Sequence, residues 1–83
     1  MNVTLKAGPG FEDILPANAS GDSAELPLKD GASLSELFDA IGLPEDRRCL
    51  SAVNDTIVPK AKRAATMLSD GDIVDVLPPL TGG

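Results

Sequence analysis

The chain has 83 residues, 13 acidic and 7 basic, for a formal net charge of −6. A hydrophobic fraction of 42% is that of a globular protein, so one small folded domain is expected rather than a disordered chain. With no histidine and one cysteine, a Ser-His-Asp triad, a Cys-His pair, a His- or Cys-rich zinc site and an internal disulfide are all excluded, and the acidic balance argues against nucleic acid as a partner.

The first predicted strand alternates. Val3, Leu5 and Ala7 face one way, and Asn2, Thr4 and Lys6 the other. A loop rich in Gly, Pro, Asn and Asp follows from Gly8 to Ser23, with Phe11, Ile14 and Leu15 placed to pin part of it to a core. Ala24-Glu25-Leu26-Pro27-Leu28 is a second alternating strand, and Pro27 assigns it to a sheet edge because proline has no N–H to donate. Leu34, Leu37, Phe38 and Ile41 then recur at i, i+3, i+4 and i+7, the apolar stripe of a helix. Ser33 and Glu36 have the spacing of a capping box, and Gly42 followed by Pro44 is a stop signal.

Cys49 to Asn54 has the composition of a third strand, turned by Asn54-Asp55 into the short strand Thr56-Ile57-Val58 and stopped at Pro59. Residues 60–69 read as irregular, with Met67-Leu68 a small strand or a core anchor. Asp70-Gly71-Asp72 is a turn into the last strand, Ile73-Val74-Asp75-Val76-Leu77, whose near-continuous apolar content suits a central position. One helix can cover one face of a mixed sheet of four to five strands, so the expected fold class is α+β. Charge is uneven: residues 1–46 carry −7 and residues 47–83 carry +1, an acidic surface with a weak basic patch. No apolar run approaches the ~20 residues of a membrane helix, and no secretory signal opens the chain, so no membrane partner and a cytoplasmic location are expected. Asn18-Ala19-Ser20 has the form of a glycosylation acceptor but, without such a signal, reads as polar loop.

The sequence closes Leu77-Pro78-Pro79-Leu80-Thr81-Gly82-Gly83. Paired prolines end the ladder and stiffen the exit. Terminal Gly-Gly has no side chain to bury and much entropy to lose, so no fold requires it. A tail without Cβ atoms can thread a narrow active site on another protein and offer its carboxylate there. A frayed end is the plain alternative, and on the tail alone the two stand level.

Other segments join the tail in an ordered set. They are Leu28-Lys29-Asp30-Gly31-Ala32-Ser33-Leu34, Ala52-Val53-Asn54, and Asp70-Gly71-Asp72-Ile73-Val74, followed by Pro78-Pro79-Leu80-Thr81-Gly82-Gly83. With that set the chain resembles the ubiquitin-like sulfur-carrier family (MoaD/ThiS-like), which includes the small subunit of molybdopterin synthase and the thiamine sulfur carrier. The paired prolines and the length lean toward the molybdopterin-synthase branch. Residues 1–23 fit less well, since Lys6 to Asp13 lacks the arginine that branch often carries there.

The resemblance implies a ubiquitin-like β-grasp domain over residues 1–77 and a flexible tail over 78–83. It implies that a ubiquitin-activating-type enzyme, using ATP and magnesium, adenylates the Gly83 carboxylate. A persulfide or sulfide donor, such as a cysteine desulfurase or rhodanese system, then leaves a Gly83 thiocarboxylate. The chain itself is a co-substrate that binds no cofactor and is not the catalyst. Gly82, Thr81, Leu80, Pro79, Pro78 and Leu77 would contact the partner, with Leu80 the better apolar anchor and Leu77 equally a core residue. A larger molybdopterin-synthase-type subunit is a further implied partner. A ubiquitin-like modifier or an interaction module is the alternative function, and thiamine or cysteine biosynthesis the alternative pathway.

Three other groups bear weighing. Cys49 opens a predicted strand with no evident cation beside it, which favours a buried structural thiol over a reactive one. Asp70, Asp72 and Asp75 lack the later ligands of a calcium loop and read as turn and strand-face acids. Arg47, Arg48, Lys60, Lys62 and Arg63 are either a docking patch or solvated surface.

Overall fold

The alternation of the first strand is realised in full. In the computed structural model, which describes residues 1–44 and 46–79, β1 spans Asn2–Ala7 and buries Val3, Leu5 and Ala7. β2 (Ser23–Pro27) pairs with it antiparallel, and β5 (Ile73–Leu77) pairs on its other side in parallel. β3 (Leu50–Val53) lies antiparallel to β5, and β4 (Thr56–Val58) antiparallel to β3. The sheet therefore has five strands in the order β2-β1-β5-β3-β4, with β5 at its centre.

β2 is an edge strand, as Pro27 requires. The Leu28 N–H donates to the Met1 carbonyl at 2.8 Å, so by alternation the Pro27 nitrogen faces the free edge, where no donor is needed. At the hairpin between β3 and β4, Asn54 and Asp55 both take positive φ, 49° and 69°, a conformation that these two residue types tolerate.

Helix α1 (Leu34–Ala40) packs Leu34, Leu37 and Phe38 onto one face of the sheet. Its capping box is formed: Glu36 N–H donates to Ser33 Oγ at 3.1 Å, and Ser33 N–H donates to Glu36 Oε1 at 3.2 Å. Gly42 follows with φ of +75°, the left-handed turn that lets the chain leave the helix. The core fills the layer between helix and sheet, and Phe11 and Ile14 of the long loop join it as expected, Ile14 from a 3-10 turn at Glu12–Ile14.

One segment differs from expectation. Residues 60–69 are not irregular: Lys60–Ala65 form a 3-10 helix that packs against α1. After it, residues 66–68 run antiparallel to 32–34, with Leu34 N–H donating to the Thr66 carbonyl and Leu68 N–H to the Ala32 carbonyl. Leu68 is the anchor at 4% exposure, whereas Met67 is 60% exposed. Among the described residues no helix is long and apolar enough to cross a membrane.

Candidate functional site

The C-terminal segment leaves the fold from the central strand. Val74 and Val76 are fully buried, and β5 is hydrogen-bonded on both sides, to β1 and β3. The Gly8 N–H donates to the Val76 carbonyl at 2.8 Å. β5 ends at Leu77, and the two prolines beyond it have no N–H with which to extend a ladder. The last strand therefore fixes the position of Pro78 and Pro79, which follow it in the chain.

Gly8 approaches this root closely. A Cβ there would lie 3.1 Å from Leu77 Cδ2, 3.2 Å from the Val76 carbonyl oxygen and 3.3 Å from Pro78 Cδ. In the sequence Gly8 is marked only as the start of a loop. No periodicity reveals a close approach between positions 8 and 77, because the parallel pairing of β1 with β5 creates it.

Of the predicted tail residues, Leu77 is half-buried, Pro78 exposed and Pro79 half-buried. Leu80, Thr81, Gly82 and Gly83 lie outside the described residues. Leu77 is not a core residue: the core-facing positions of β5 are Val74 and Val76, and Leu77 stands on the opposite, open face across from Leu50. Ala52 and Ile57 share that face, and Ile57 is 53% exposed. The open face is thus apolar over β3, β4 and the end of β5. Over β1 and β2 it carries Thr4, Lys6 and Glu25.

Beside the root is a shallow cleft lined by Arg47, Arg48, Leu50, Lys60, Arg63 and Pro79. Four of the five predicted basic residues meet here, and Lys62 does not. Their states differ. Arg47 reaches Asp13 through two short contacts, 2.7 and 2.9 Å, donates to the Gly10 carbonyl, and lies over the Phe11 ring. This hydrogen-bonded pairing holds the Asp13 carboxyl below its ordinary value. Arg63 is buried, not solvated surface. Its Nε donates to Ser51 Oγ at 3.1 Å, its Nη2 to the Cys49 carbonyl at 3.2 Å, and its guanidinium lies over Phe38. The buried Ser51 hydroxyl in turn donates to the Val58 carbonyl.

Cys49 is half-buried rather than buried, and a cation does stand beside it, with Arg63 Nη2 3.5 Å from Sγ. Fourteen positions separate Cys49 from Arg63, so nothing local in the sequence could have shown this pairing. The acids of the 70–75 segment are structural. Asp70 accepts from the Asn2 N–H and Asp72 from the Ser69 N–H and the Asn54 side chain, while Asp75 lies within β5. No group of three or more His, Cys, Asp or Glu able to hold a metal ion occurs among the described residues.

A sequence model of the ThiS family matches residues 16–83. No curated protein matches significantly. Among solved structures, a putative molybdopterin converting factor subunit 1 from Pyrococcus furiosus is 27% identical, with a TM-score of 0.71 over 95% of this chain and 98% of that one. A complex of subunits 1 and 2 of the molybdopterin-converting factor from Helicobacter pylori also matches, at 27% identity and a TM-score of 0.59 over all of both chains. The thiamine biosynthesis protein ThiS from Geobacter metallireducens matches over both full chains with a TM-score of 0.68. At 20% identity it speaks to the fold alone, a ubiquitin-like β-grasp.

Proposed function

This chain belongs to the ThiS family, a family of ThiS/MoaD-like sulfur carriers, and from that premise we propose that it carries sulfur as a thiocarboxylate on Gly83. A carboxylate is a poor electrophile. Attack of the Gly83 carboxylate oxygen on the α-phosphorus of ATP, held with magnesium by a ubiquitin-activating-type partner, breaks the bond to pyrophosphate and leaves an acyl-adenylate. Hydrosulfide, or the terminal sulfur of a persulfide supplied by a desulfurase or rhodanese system, then attacks the acyl carbon and AMP leaves. From a persulfide the product is an acyl disulfide, and a thiol of the partner frees the thiocarboxylate by taking the other sulfur into a disulfide.

The observation that carries this reading is the root of the C-terminal segment. β5 is the central strand, so the position of departure is held from both sides. The strand ends at two prolines that extend the exit, and Gly82 and Gly83 present no side chains to a narrow active site. Leu77 and Leu50, paired on the open face with Ile57 nearby, form the adjoining apolar contact for a partner. Pro78, Pro79, Leu80 and Thr81 bridge that contact to the reacting end.

Molybdopterin-type sulfur transfer is the favoured destination, supported by the paired prolines and the likeness at 27% identity to molybdopterin-converting subunits. A larger second subunit, of the kind present in the Helicobacter pylori complex, is the matching acceptor. Thiamine biosynthesis is the second reading, favoured by the family model. The cytoplasm, where ATP is supplied, is the proposed compartment.

The test is C-terminal mapping by mass spectrometry after incubation with ATP, a sulfur donor and an extract of the source organism. Sulfur on Gly83 that depends on ATP is the expected result. Deleting Gly83 should abolish adenylation while leaving the unfolding midpoint unchanged. Unmodified Gly83, beside a known carrier that is modified in the same extract, refutes the proposal. An isopeptide bond from Gly83 to a lysine of another protein would identify a modifier instead.

A further inference from the structure

We infer that the basic cleft at the root of the C-terminal segment is a docking site for an acidic segment of a protein partner. The cleft draws on three separate stretches of chain: the loop before β3, the 3-10 helix and the residue two beyond β5. Three of its cations make no ion pair among the described residues. Arg48 and Lys60 are exposed on the rim, and Arg63 forms the floor.

Arg63 carries the argument furthest. Its hydrogen-bond partners are a hydroxyl, a carbonyl and a thiol, none of them a carboxylate, and the Phe38 ring lies beneath it. Neutral acceptors satisfy the donors but leave the positive charge in place. Because the Arg63 side chain is itself buried, its charge is screened less than that of a fully solvated cation and acts more strongly on an approaching anion. Arg47 adds little, because Asp13 already neutralises it. Asp46 is one opposing acid on the wall, and Glu45 precedes it in the chain. The cleft still gathers three cations without an ion pair among the described residues, on a protein of net charge −6.

The rest of the surface says which anion. The only aromatics, Phe11 and Phe38, are both buried, so no ring is free to stack a base, and the cations form a pocket rather than a track along a phosphate backbone. Leu50 and Pro79 line the same cleft, and Leu77 lies across from Leu50. Carboxylates beside apolar side chains, as on an acidic loop or helix of a protein, match both halves of this surface. A partner docked there would hold the C-terminal segment at its point of departure. The inference is independent of what chemistry Gly83 undergoes.

The test is a titration of the full isotope-labelled chain, followed by amide chemical shifts. The probe is a short synthetic peptide of glutamate, aspartate and leucine, with its glutamine-asparagine-leucine analogue as control. Shifts should concentrate at residues 48–50 and 60–64 and be absent with the neutral peptide. The double variant R48E/K60E, whose sites are exposed, should weaken binding by about tenfold or more, with the Val74 and Val76 amides reporting an intact fold. Equal shifts around Lys6 and Lys29, or unchanged binding in R48E/K60E, overturn the inference. So does displacement by inorganic phosphate or a single-stranded oligonucleotide at concentrations equal to the peptide's. The titration contains no ATP or sulfur donor, and a chain lacking Gly83 should bind the peptide like the full one. Failure of the thiocarboxylate reading and failure of this one are therefore separable.

Discussion

Arg47 and Arg63 each lie over a phenylalanine ring, 4.4 Å from the centre of Phe11 and 4.9 Å from that of Phe38. Their surroundings make them different devices. Arg47 ties the 10–13 loop down with a bidentate pair to Asp13 and a bond to the Gly10 carbonyl, and its charge is cancelled in doing so. Arg63 ties the 3-10 helix to β3 through Ser51 and Cys49, and its charge is left uncancelled by any described carboxylate. The same cation–ring contact thus closes a loop in one place and charges a cleft in the other. What distinguishes the two is the counter-ion, not the ring.

The sharpest way to break this comparison is to remove the ring under Arg63. Phe38 also belongs to the core, so Phe38→Ala should cost about 3–5 kcal/mol by urea unfolding. Removing the guanidinium comes next. Arg63→Ala should lose about 2 kcal/mol through lost packing and hydrogen bonds. Arg63→Lys should recover only part of this, since an ammonium cannot bridge Ser51 Oγ and the Cys49 carbonyl as a planar fork does. A cost near zero would mean that the guanidinium is not part of the frame.

Gly8 follows β1 and lies against Val76, Leu77 and Pro78, at the root of the C-terminal segment. Gly8→Ala should displace the amide resonances of Val76 and Leu77, cost about 1 kcal/mol, and slow adenylation by more than that loss accounts for. Unshifted resonances would mean that the root gives way freely to the added methyl.

Arg47→Ala should have the smallest effect. Hydrogen exchange should quicken at residues 10–14, with β3 and β5 unchanged. The acid side gives a signed companion test. Hydrogen bonding to Arg47 lowers the Asp13 value below 3.8, so the pair contributes stability above that pH. The contribution fades as pH falls through the lowered value. Lys29 lowers Glu36 in the same sense, so the wild type alone cannot separate the two. The difference between wild type and Arg47→Ala, followed from pH 5 to pH 2, should shrink with acid and with added salt. A difference that is constant across that range would show that Arg47 acts through Phe11 and the Gly10 carbonyl rather than through Asp13.

Much of the frame was legible in the residues. Leu34, Leu37, Phe38 and Ile41 announced the helix, and Ser33 with Glu36 its start, because these relations span three or four positions and depend only on helix geometry. Val3, Leu5 and Ala7 announced a buried strand face for the same reason. The β2 and β3 boundaries shifted by about one residue at their ends, where capping and pairing decide. The 3-10 helix was not legible, since Lys60-Ala61-Lys62-Arg63-Ala64-Ala65 has no apolar stripe and one buried side chain, the arginine. Composition made that arginine look like a surface residue, and only its neighbours Phe38 and Ser51 explain its burial.

The sequence by itself determined the class of fold, the edge position of β2, the central position of β5 and the likeness to a sulfur carrier. Each rests on short-range pattern: alternation, a proline without a donor, an apolar run, an ordered set of segments ending in Gly-Gly. Only the tertiary structure decided that Leu77 faces outward across from Leu50, that Gly8 touches the root of the C-terminal segment, and that Arg48, Lys60 and Arg63 gather in one cleft. Leu50 and Leu77 are 27 positions apart, Gly8 and Leu77 69, and Arg48 lies 12 and 15 positions from Lys60 and Arg63. Strand register and the path of the connecting segments set such distances, and no local period encodes them.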